Sequence, residues 1–270
     1  MNLVRSELLK IRTTSTWWWL ALGAFLSIAL AFAINAWLAV TTLGGDAEDV
    51  GVSAEQATAP AQAANLYTSG QYLGLMFVML IGILMVTNEF FHQTATTTFL
   101  TTPRRTSVIV SKLVAASLLG FMFWLATTLI DLAAGAIFLS ANDYGTQLGE
   151  WPVQRALLFN LLAYAIWTIL GVGIGTLITN QLGAVITAAV LYLIGTQVVG
   201  LLFLLLSNVL DSQAVLKWQV IWPAVASQVM ITEGTSEFTP SWWVGALVLI
   251  GYALVSGIAG VLLTRRRDIA

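Results

Sequence analysis

The sequence predicts an all-α membrane protein with six transmembrane helices, built as a single transmembrane domain over residues 1–270. Of the 270 residues, 58% are apolar and only 9% are charged, whereas soluble domains carry about 25% charged residues. The mean hydropathy of +0.86 agrees with this class. Long apolar runs recur along the chain without the alternating pattern of membrane-barrel strands, so helices are the expected spans.

Five of these runs exceed the roughly 20 residues that a helix needs to cross a bilayer. The sixth, residues 73–87, is shorter, and we extend it toward its N-terminal side. The predicted spans are residues 17–40, 68–87, 110–139, 155–178, 182–206 and 242–263.

Residues 1–16 precede the first span and have apolar side chains at helical spacing, at Val4, Leu8 and Ile11, among charged ones. This pattern predicts an amphipathic helix lying on the inner leaflet, and the alternative is a frayed basic tail. The apolar run that follows is longer than the 7–15 residues or so of a signal-peptide core, so we expect an uncleaved span.

Residues 207–241 form a second amphipathic region, between the fifth and sixth spans. Aromatic and aliphatic residues recur there at helical offsets, and Pro223 interrupts them, so we expect two short helices at the outer interface or dipping into it. The alternative is an ordinary surface loop. The apolar positions are Trp218, Ile221, Trp222, Val225 and Val229.

The distribution of charge predicts the orientation. If the N-terminus is cytoplasmic, nine of the 11 basic residues fall in cytoplasmic segments and nine of the 13 acidic residues fall outside. Because Lys and Arg concentrate in cytoplasmic loops, both termini should be cytoplasmic. The expected location is the cytoplasmic membrane, with the lipid bilayer as the surrounding partner.

The sequence offers little for catalysis. There is no cysteine, and no glycine-rich P-loop precedes any lysine. His92 is the single histidine, with only Glu89 near it as a second metal ligand. No catalytic residue, metal site or resident cofactor is predicted, and no nucleic-acid partner.

Asp131 is the one acid in the middle of a predicted span, close to Thr127 and Thr128. An ionisable residue inside a membrane is by default a functional hypothesis. These three residues would line a translocation path, or Asp131 would bind a proton or a polar partner. The alternative is a hydrogen-bonded packing residue.

Residues 88–109, between the second and third spans, are polar and specific in composition. Acid, aromatic and arginine side chains occur together there, and aromatic and arginine side chains concentrate binding energy at interfaces. We therefore expect a docking surface, which we call the coupling segment. A solvated loop whose arginines only fix the topology is the alternative.

The order of these parts resembles the ABC-2-type exporter permeases of bacteria, and actinobacterial members most. The resemblance covers essentially the whole chain. Its most specific part is Glu89 at the end of the second span, a Thr-rich stretch over 92–98, the triplet Pro103-Arg104-Arg105, and Lys112 in the third span. The chain departs from the common pattern at Phe91 and Gln93, where basic residues are frequent.

The resemblance implies the membrane subunit of an ATP-driven exporter, without enzymatic activity of its own. Such permeases pair with a second copy or a sister permease and bind separate ABC ATP-binding subunits, which carry ATP and Mg. The export path runs between the two permeases, capped outside by the elements that match 207–241. The implied contacts of the ATP-binding subunit are Glu89, Phe90, Phe91, His92, Thr94, Thr97, Arg104 and Arg105.

The apolar spans suit a hydrophobic or amphipathic substrate, such as a drug, a peptide or a lipid-like molecule. The main competing hypothesis is an ion- or proton-coupled carrier that uses Asp131. An intramembrane enzyme is less favoured, because no nucleophile and base occur together. A membrane anchor without transport activity is a further alternative.

Overall fold

A computed structural model describes residues 2–13, 16–94, 96, 98, 100, 105–232 and 239–266. Over these residues it contains helices and turns and no strand, and the predicted all-α membrane fold is confirmed. Six helices are long and apolar enough to cross a membrane: Trp17–Asp46, Ala59–Phe91, Thr106–Ala141, Trp151–Leu177, Gln181–Val209 and Trp242–Thr264.

The helices follow in chain order, and several spans contain more than one. The first three spans, with the N-terminal helix before them, comprise α1 (Asn2–Thr13), α2 (Thr16–Thr41) ending in a π-helical turn (Thr42–Asp46), α3 (Ala59–Tyr67) with α4 (Gln71–Phe91), and α5 (Arg105–Ala141). The remaining elements are α6 (Trp151–Leu177), α7 (Gln181–Val190), a π-helical turn (Leu191–Gly195), α8 (Thr196–Val209), a 3-10 helix (Gln213–Ile221), α9 (Pro223–Thr232) and α10 (Trp242–Arg266).

The second and fourth spans form the centre of the bundle. Of the most apolar stretch of each span, 72% is buried in the second and 56% in the fourth, against 6% in the fifth. Two glycines bring α4 and α6 into backbone contact, since a Cβ on Gly82 would lie 2.3 Å from the Thr168 carbonyl oxygen and one on Gly171 would lie 2.1 Å from that of Met79. Small residues allow this approach in lipid.

The predicted N-terminal helix is present as α1. Its apolar residues Val4, Leu8 and Ile11 pack against a buried cluster contributed by α4, α5 and α6. The members of that cluster are Met85, Val86, Ala115, Ala116 and Val172. The apolar face of α1 therefore packs against the ends of the spans. Leu9, on another side of α1, is exposed.

The two short helices predicted before the last span are also present. The 3-10 helix and α9 meet at an angle of 104°, and Pro223 is the first residue of α9. Proline fits the first turn of a helix because it has no N–H to lose. Helix α9 is largely buried and crosses α10 so closely that a Cβ on Gly245 would lie 2.4 Å from the Ala226 carbonyl oxygen.

Because the spans alternate in direction, α1, the C-terminal ends of α4, α6 and α10 and the N-terminal end of α5 share one side of the bundle. We call it the terminal side. Residues 142–150 and the pair formed by the 3-10 helix and α9 belong to the opposite side. The coupling segment lies on the terminal side, next to α1.

Candidate functional site

The coupling segment is shorter in the structure than in the sequence prediction, because both flanking helices extend into it. Helix α4 continues to Phe91 and α5 begins at Arg105. Gln93 has a φ of 55°, the left-handed conformation that commonly ends a helix. The Thr94 amide then donates to the Glu89 carbonyl oxygen at 2.8 Å. This closes the last turn of α4.

Four charged side chains meet where α1, α4 and α5 converge on the terminal side: Glu7, Lys10, Glu89 and Lys112. We call them the charge cluster. Lys112 Nζ lies 2.6 Å from Glu7 Oε2 and 2.9 Å from Glu89 Oε1. Lys10 Nζ lies 2.8 Å from Glu7 Oε1 and 2.6 Å from Glu89 Oε1. Each cation therefore contacts both acids.

Three members of the charge cluster are removed from water. Lys112 is 1% exposed, and Glu7 and Glu89 are each 5% exposed. Lys112 also donates to the Met85 carbonyl oxygen at 3.0 Å. Burying a charge is costly unless it is paired and hydrogen-bonded. Two cations and two anions satisfy that condition together, so removal of any one leaves an uncompensated charge.

Lys10 is the member that meets solvent, with 42% of its side chain exposed. Partial burial tends to lower the pKa of its ammonium group, but the hydrogen bonds that Lys10 donates to Glu7 and Glu89, with the attraction of both carboxylates, outweigh that effect and raise the pKa above its ordinary value of 10.5. Lys10 therefore stays charged throughout the neutral range and holds α1 against the end of α4.

The structure divides the predicted coupling residues into inward and outward groups. Glu89 faces the charge cluster, and Phe90 packs against the apolar cluster under α1. Phe91 is 68% exposed, and His92 and Thr94 are exposed beside it. The rings of Phe91 and His92 meet edge to face, with centroids 5.0 Å apart.

Three of the predicted contacts fall where side chains are not described. Thr97 and Arg104 lie outside the described residues, and only the backbone of Arg105 is described, as the first residue of α5. Thr98 donates to Glu89 Oε1 at 3.5 Å, which connects the coupling segment to the charge cluster.

Sequence reasoning missed two features of this region. Leu100, 78% exposed, is a second large apolar side chain on the coupling segment. Glu7 and Lys10 were treated as the polar face of a lipid-bound helix, and their pairing with Glu89 and Lys112 was not foreseen. The sequence did contain a signal for this pairing. Glu89 and Lys112 stand at the ends of adjacent predicted spans, where a charged side chain needs a partner.

Asp131, Thr127 and Thr128 lie together in a buried layer further along α5. Asp131 is 2% exposed, and its Oδ2 accepts a hydrogen bond from the Gly70 amide at 3.3 Å. Gly70 lies in the break between α3 and α4. Among the described residues, Oδ1 of Asp131 and the hydroxyl of Thr128 have no hydrogen-bond partner.

Tyr164 of α6 packs against this layer from the fourth span. Thr127 donates to the Tyr164 hydroxyl at 3.5 Å, and Tyr164 is fully buried. The layer thus joins the broken second span to the third and fourth spans.

Within the described part of the chain, no group of three or more His, Asp or Glu residues could hold a metal ion. No protein-family model matches the chain, and no curated protein matches it in sequence. The functional conclusion therefore depends on the residues and geometry of the chain itself.

Proposed function

We propose that this protein is the membrane-spanning permease subunit of an ATP-driven exporter of the ABC-2 type. It resides in the cytoplasmic membrane with both termini in the cytoplasm, so the terminal side faces inward. A separate ABC ATP-binding subunit, carrying ATP and Mg, supplies the energy. The permease moves a hydrophobic or amphipathic substrate outward and has no catalytic residues of its own.

The observation that supports this proposal most is the charge cluster. It ties α1 to Glu89, at the start of the coupling segment, and to Lys112, just after its end. A buried network of this kind resists separation, since breaking it leaves an unpaired charge. Displacement of the coupling segment by a partner would therefore move α1, α4 and α5 together.

The coupling segment also offers a contact surface. Phe91, the last residue of the second candidate span, and Leu100, which lies beyond it, expose large apolar side chains on the terminal side. Apolar side chains in such a position suit burial against a partner protein. We assign this surface to the ATP-binding subunit.

The peripheral spans are suited to a second permease. The first and fifth spans bury 17% and 6% of their most apolar stretches within this chain. Their remaining apolar surface is covered by lipid, by a second copy or by a sister permease. The export path would then lie between the two permeases.

The proposal is tested by expressing the chain with the ATP-binding subunit encoded nearest to it and purifying the complex. We expect Phe91→Ser combined with Leu100→Ser to weaken the association and the ATP-driven transport of a fluorescent amphiphile into inside-out vesicles. Gln93→Ser is the matched control, because Gln93 is exposed in the same segment but is polar. Equal association of both variants and of wild type would contradict the assigned surface, and absence of any ATP-dependent transport would contradict the function.

An ion- or proton-coupled carrier is the second candidate. It is favoured by the buried Asp131, whose Oδ1 has no hydrogen-bond partner among the described residues. From the third span, Asp131 contacts the break in the second span at Gly70. Asp131→Asn should abolish transport by such a carrier. An ATP-driven exporter should retain most of its transport in the same vesicles, which separates the two.

A further inference from the structure

An apolar cavity of about 350 Å³ opens between α6, the fifth span and α10. Its walls also include Met79 of α4 and the junction of the 3-10 helix with α9, at Trp222 and Pro223. The volume falls within the range of roughly 300–1,000 Å³ that is typical of ligand sites. Neither the charge cluster nor the layer around Asp131 lines it.

The walls of the apolar cavity offer no free hydrogen-bonding atom from their three most buried aromatic side chains. Trp167 Nε1 donates to Ser227 Oγ at 2.7 Å, and Trp222 Nε1 donates to Thr196 Oγ1 at 3.0 Å. The Tyr192 hydroxyl donates to the Tyr72 carbonyl oxygen. These rings therefore present their carbon faces to the cavity, and a site of this kind disfavours water.

The length of the apolar cavity fits one lipid chain. Along α6 its lining extends from Trp167 to Leu177, ten residues or roughly 15 Å of helix. This is about half of a hydrocarbon core of roughly 30 Å, the share that the chains of one leaflet fill.

The mouth of the apolar cavity opens toward the membrane. Leu177, Leu191 and Val255 stand at the mouth, and each is more than half exposed. These residues belong to candidate spans, so the mouth lies on the membrane-facing surface of this chain. A ligand would enter sideways, between the fifth span and α10.

The fifth span has an unusual backbone where it borders the cavity. The π-helical turn Leu191–Gly195 contributes two lining side chains, Leu191 and Tyr192. A Cβ on Gly195 would lie 2.8 Å from the Trp222 ring, so glycine lets that ring close one end of the cavity. Single π turns inside α-helices occur frequently at functional sites.

We propose that the apolar cavity binds one acyl chain of a membrane phospholipid. Lipid tails are as apolar as leucine, so the gain does not come from leaving water. It comes from dispersion contacts that the walls forfeit when the cavity is vacant. Binding of the acyl chain does not depend on the proposed export activity and requires no ATP-binding subunit.

The test uses the purified chain alone in nanodiscs that contain a phosphatidylcholine with a diazirine in the middle of one acyl chain. After illumination, labelled peptides are mapped by mass spectrometry. We expect residues 167–177 and 252–259 to be labelled more strongly than the lipid-exposed face of α2. Equal labelling of α2 and of the cavity walls in wild type would overturn the proposal, whatever the variants do.

Two neighbouring residues of α10 provide a matched pair of variants. Ala259 lines the cavity, whereas Ile258 does not and is exposed. Ala259→Phe should occupy part of the cavity and lower the labelling of residues 167–177 toward the level of α2, and Ile258→Phe should leave it unchanged. Equal labelling in the two variants would also overturn the proposal.

The chain has no native cysteine, so a single Val255→Cys variant reports directly on what covers the mouth. If phospholipid occupies it, oxidation in the nanodisc should yield monomer only. A disulfide-linked dimer through Cys at this position would show that a second copy covers the mouth, and would overturn the proposal.

Discussion

Replacing Lys112 by methionine removes the most buried cation of the charge cluster while keeping a long apolar side chain. The variant loses the contacts that Lys112 Nζ makes to Glu7 at 2.6 Å, to Glu89 at 2.9 Å and to the Met85 carbonyl oxygen at 3.0 Å. Two carboxylates then share Lys10 alone, and the cluster carries an uncompensated negative charge. We expect Lys112→Met to destabilise the folded state strongly.

The magnitude follows from the burial of the cluster. Removing one partner of a buried ion pair costs about 3–5 kcal/mol. Lys10 still contacts both carboxylates and is 42% exposed, so water and a second cation relieve part of the penalty. The expected loss is therefore about 3 kcal/mol, at the lower end of that range. Lys217→Met is the control, because Lys217 is exposed, and its effect should stay within about 0.5 kcal/mol.

A double variant distinguishes charge balance from simple loss of packing. Glu7→Gln combined with Lys112→Met leaves Lys10 and Glu89 as one ion pair at 2.6 Å. The double variant should therefore be more stable than the sum of the two single effects predicts, by about 1–3 kcal/mol.

The free energy of unfolding can be measured by titrating the protein with SDS in mixed micelles and following its circular dichroism. If Lys112→Met costs no more than Lys217→Met, or if the two single effects simply add, the cluster does not stabilise the fold as described.

Three further predictions concern packing, pH and helix capping. Gly171→Ala should destabilise the fold, because the new Cβ would lie 2.1 Å from the Met79 carbonyl oxygen. Gly257→Ala should be tolerated, because its Cβ would meet open space. Thermal unfolding in detergent compares the two variants. Because the pKa of Lys10 is higher in the folded state, its contribution to stability is complete below pH 10.5 and decreases as the pH rises through the folded pKa. Lys10→Met should therefore flatten the decline of unfolding free energy above pH 10.5, and an unchanged slope would contradict this. Asn180→Ala should cost about 1 kcal/mol, since Asn180 Oδ1 accepts from the Gly183 amide at 2.7 Å and caps α7. Asn208→Ala, at an exposed position in α8, is its reference.

The six spans could be predicted because hydropathy and length are local properties. The structure extends the second span to Ala59, beyond the predicted start at residue 68. The extra helix α3 contains Gln62 and Asn65, which lower its hydropathy, yet Gln62 is buried and donates to the Gln56 carbonyl oxygen. A polar residue whose hydrogen bond goes to the loop just before its helix is, in sequence, typical of a loop.

The candidate site could be predicted only in part. Glu89 was predicted as a contact of an ATP-binding subunit, and that role stays a prediction. Its direction, inward to Lys10 and Lys112 and away from solvent, depends on how α1 packs. Lys10 and Glu89 are 79 positions apart along the chain, and Glu7 and Lys112 are 105 positions apart. No periodicity of a single helix specifies such a pairing. The break at Pro223, by contrast, was predicted because proline acts on its own backbone.

The separation of the charge cluster along the chain also has a consequence for the order of assembly. Glu7 and Lys10 are synthesised first, but Glu89 and Lys112 follow only with the second and third spans. The cluster closes when those two spans have been inserted with the right ends facing α1. A third span inserted in the opposite direction would leave Glu7 without Lys112, so the pairing of the N-terminal helix is compatible with only one topology of these spans.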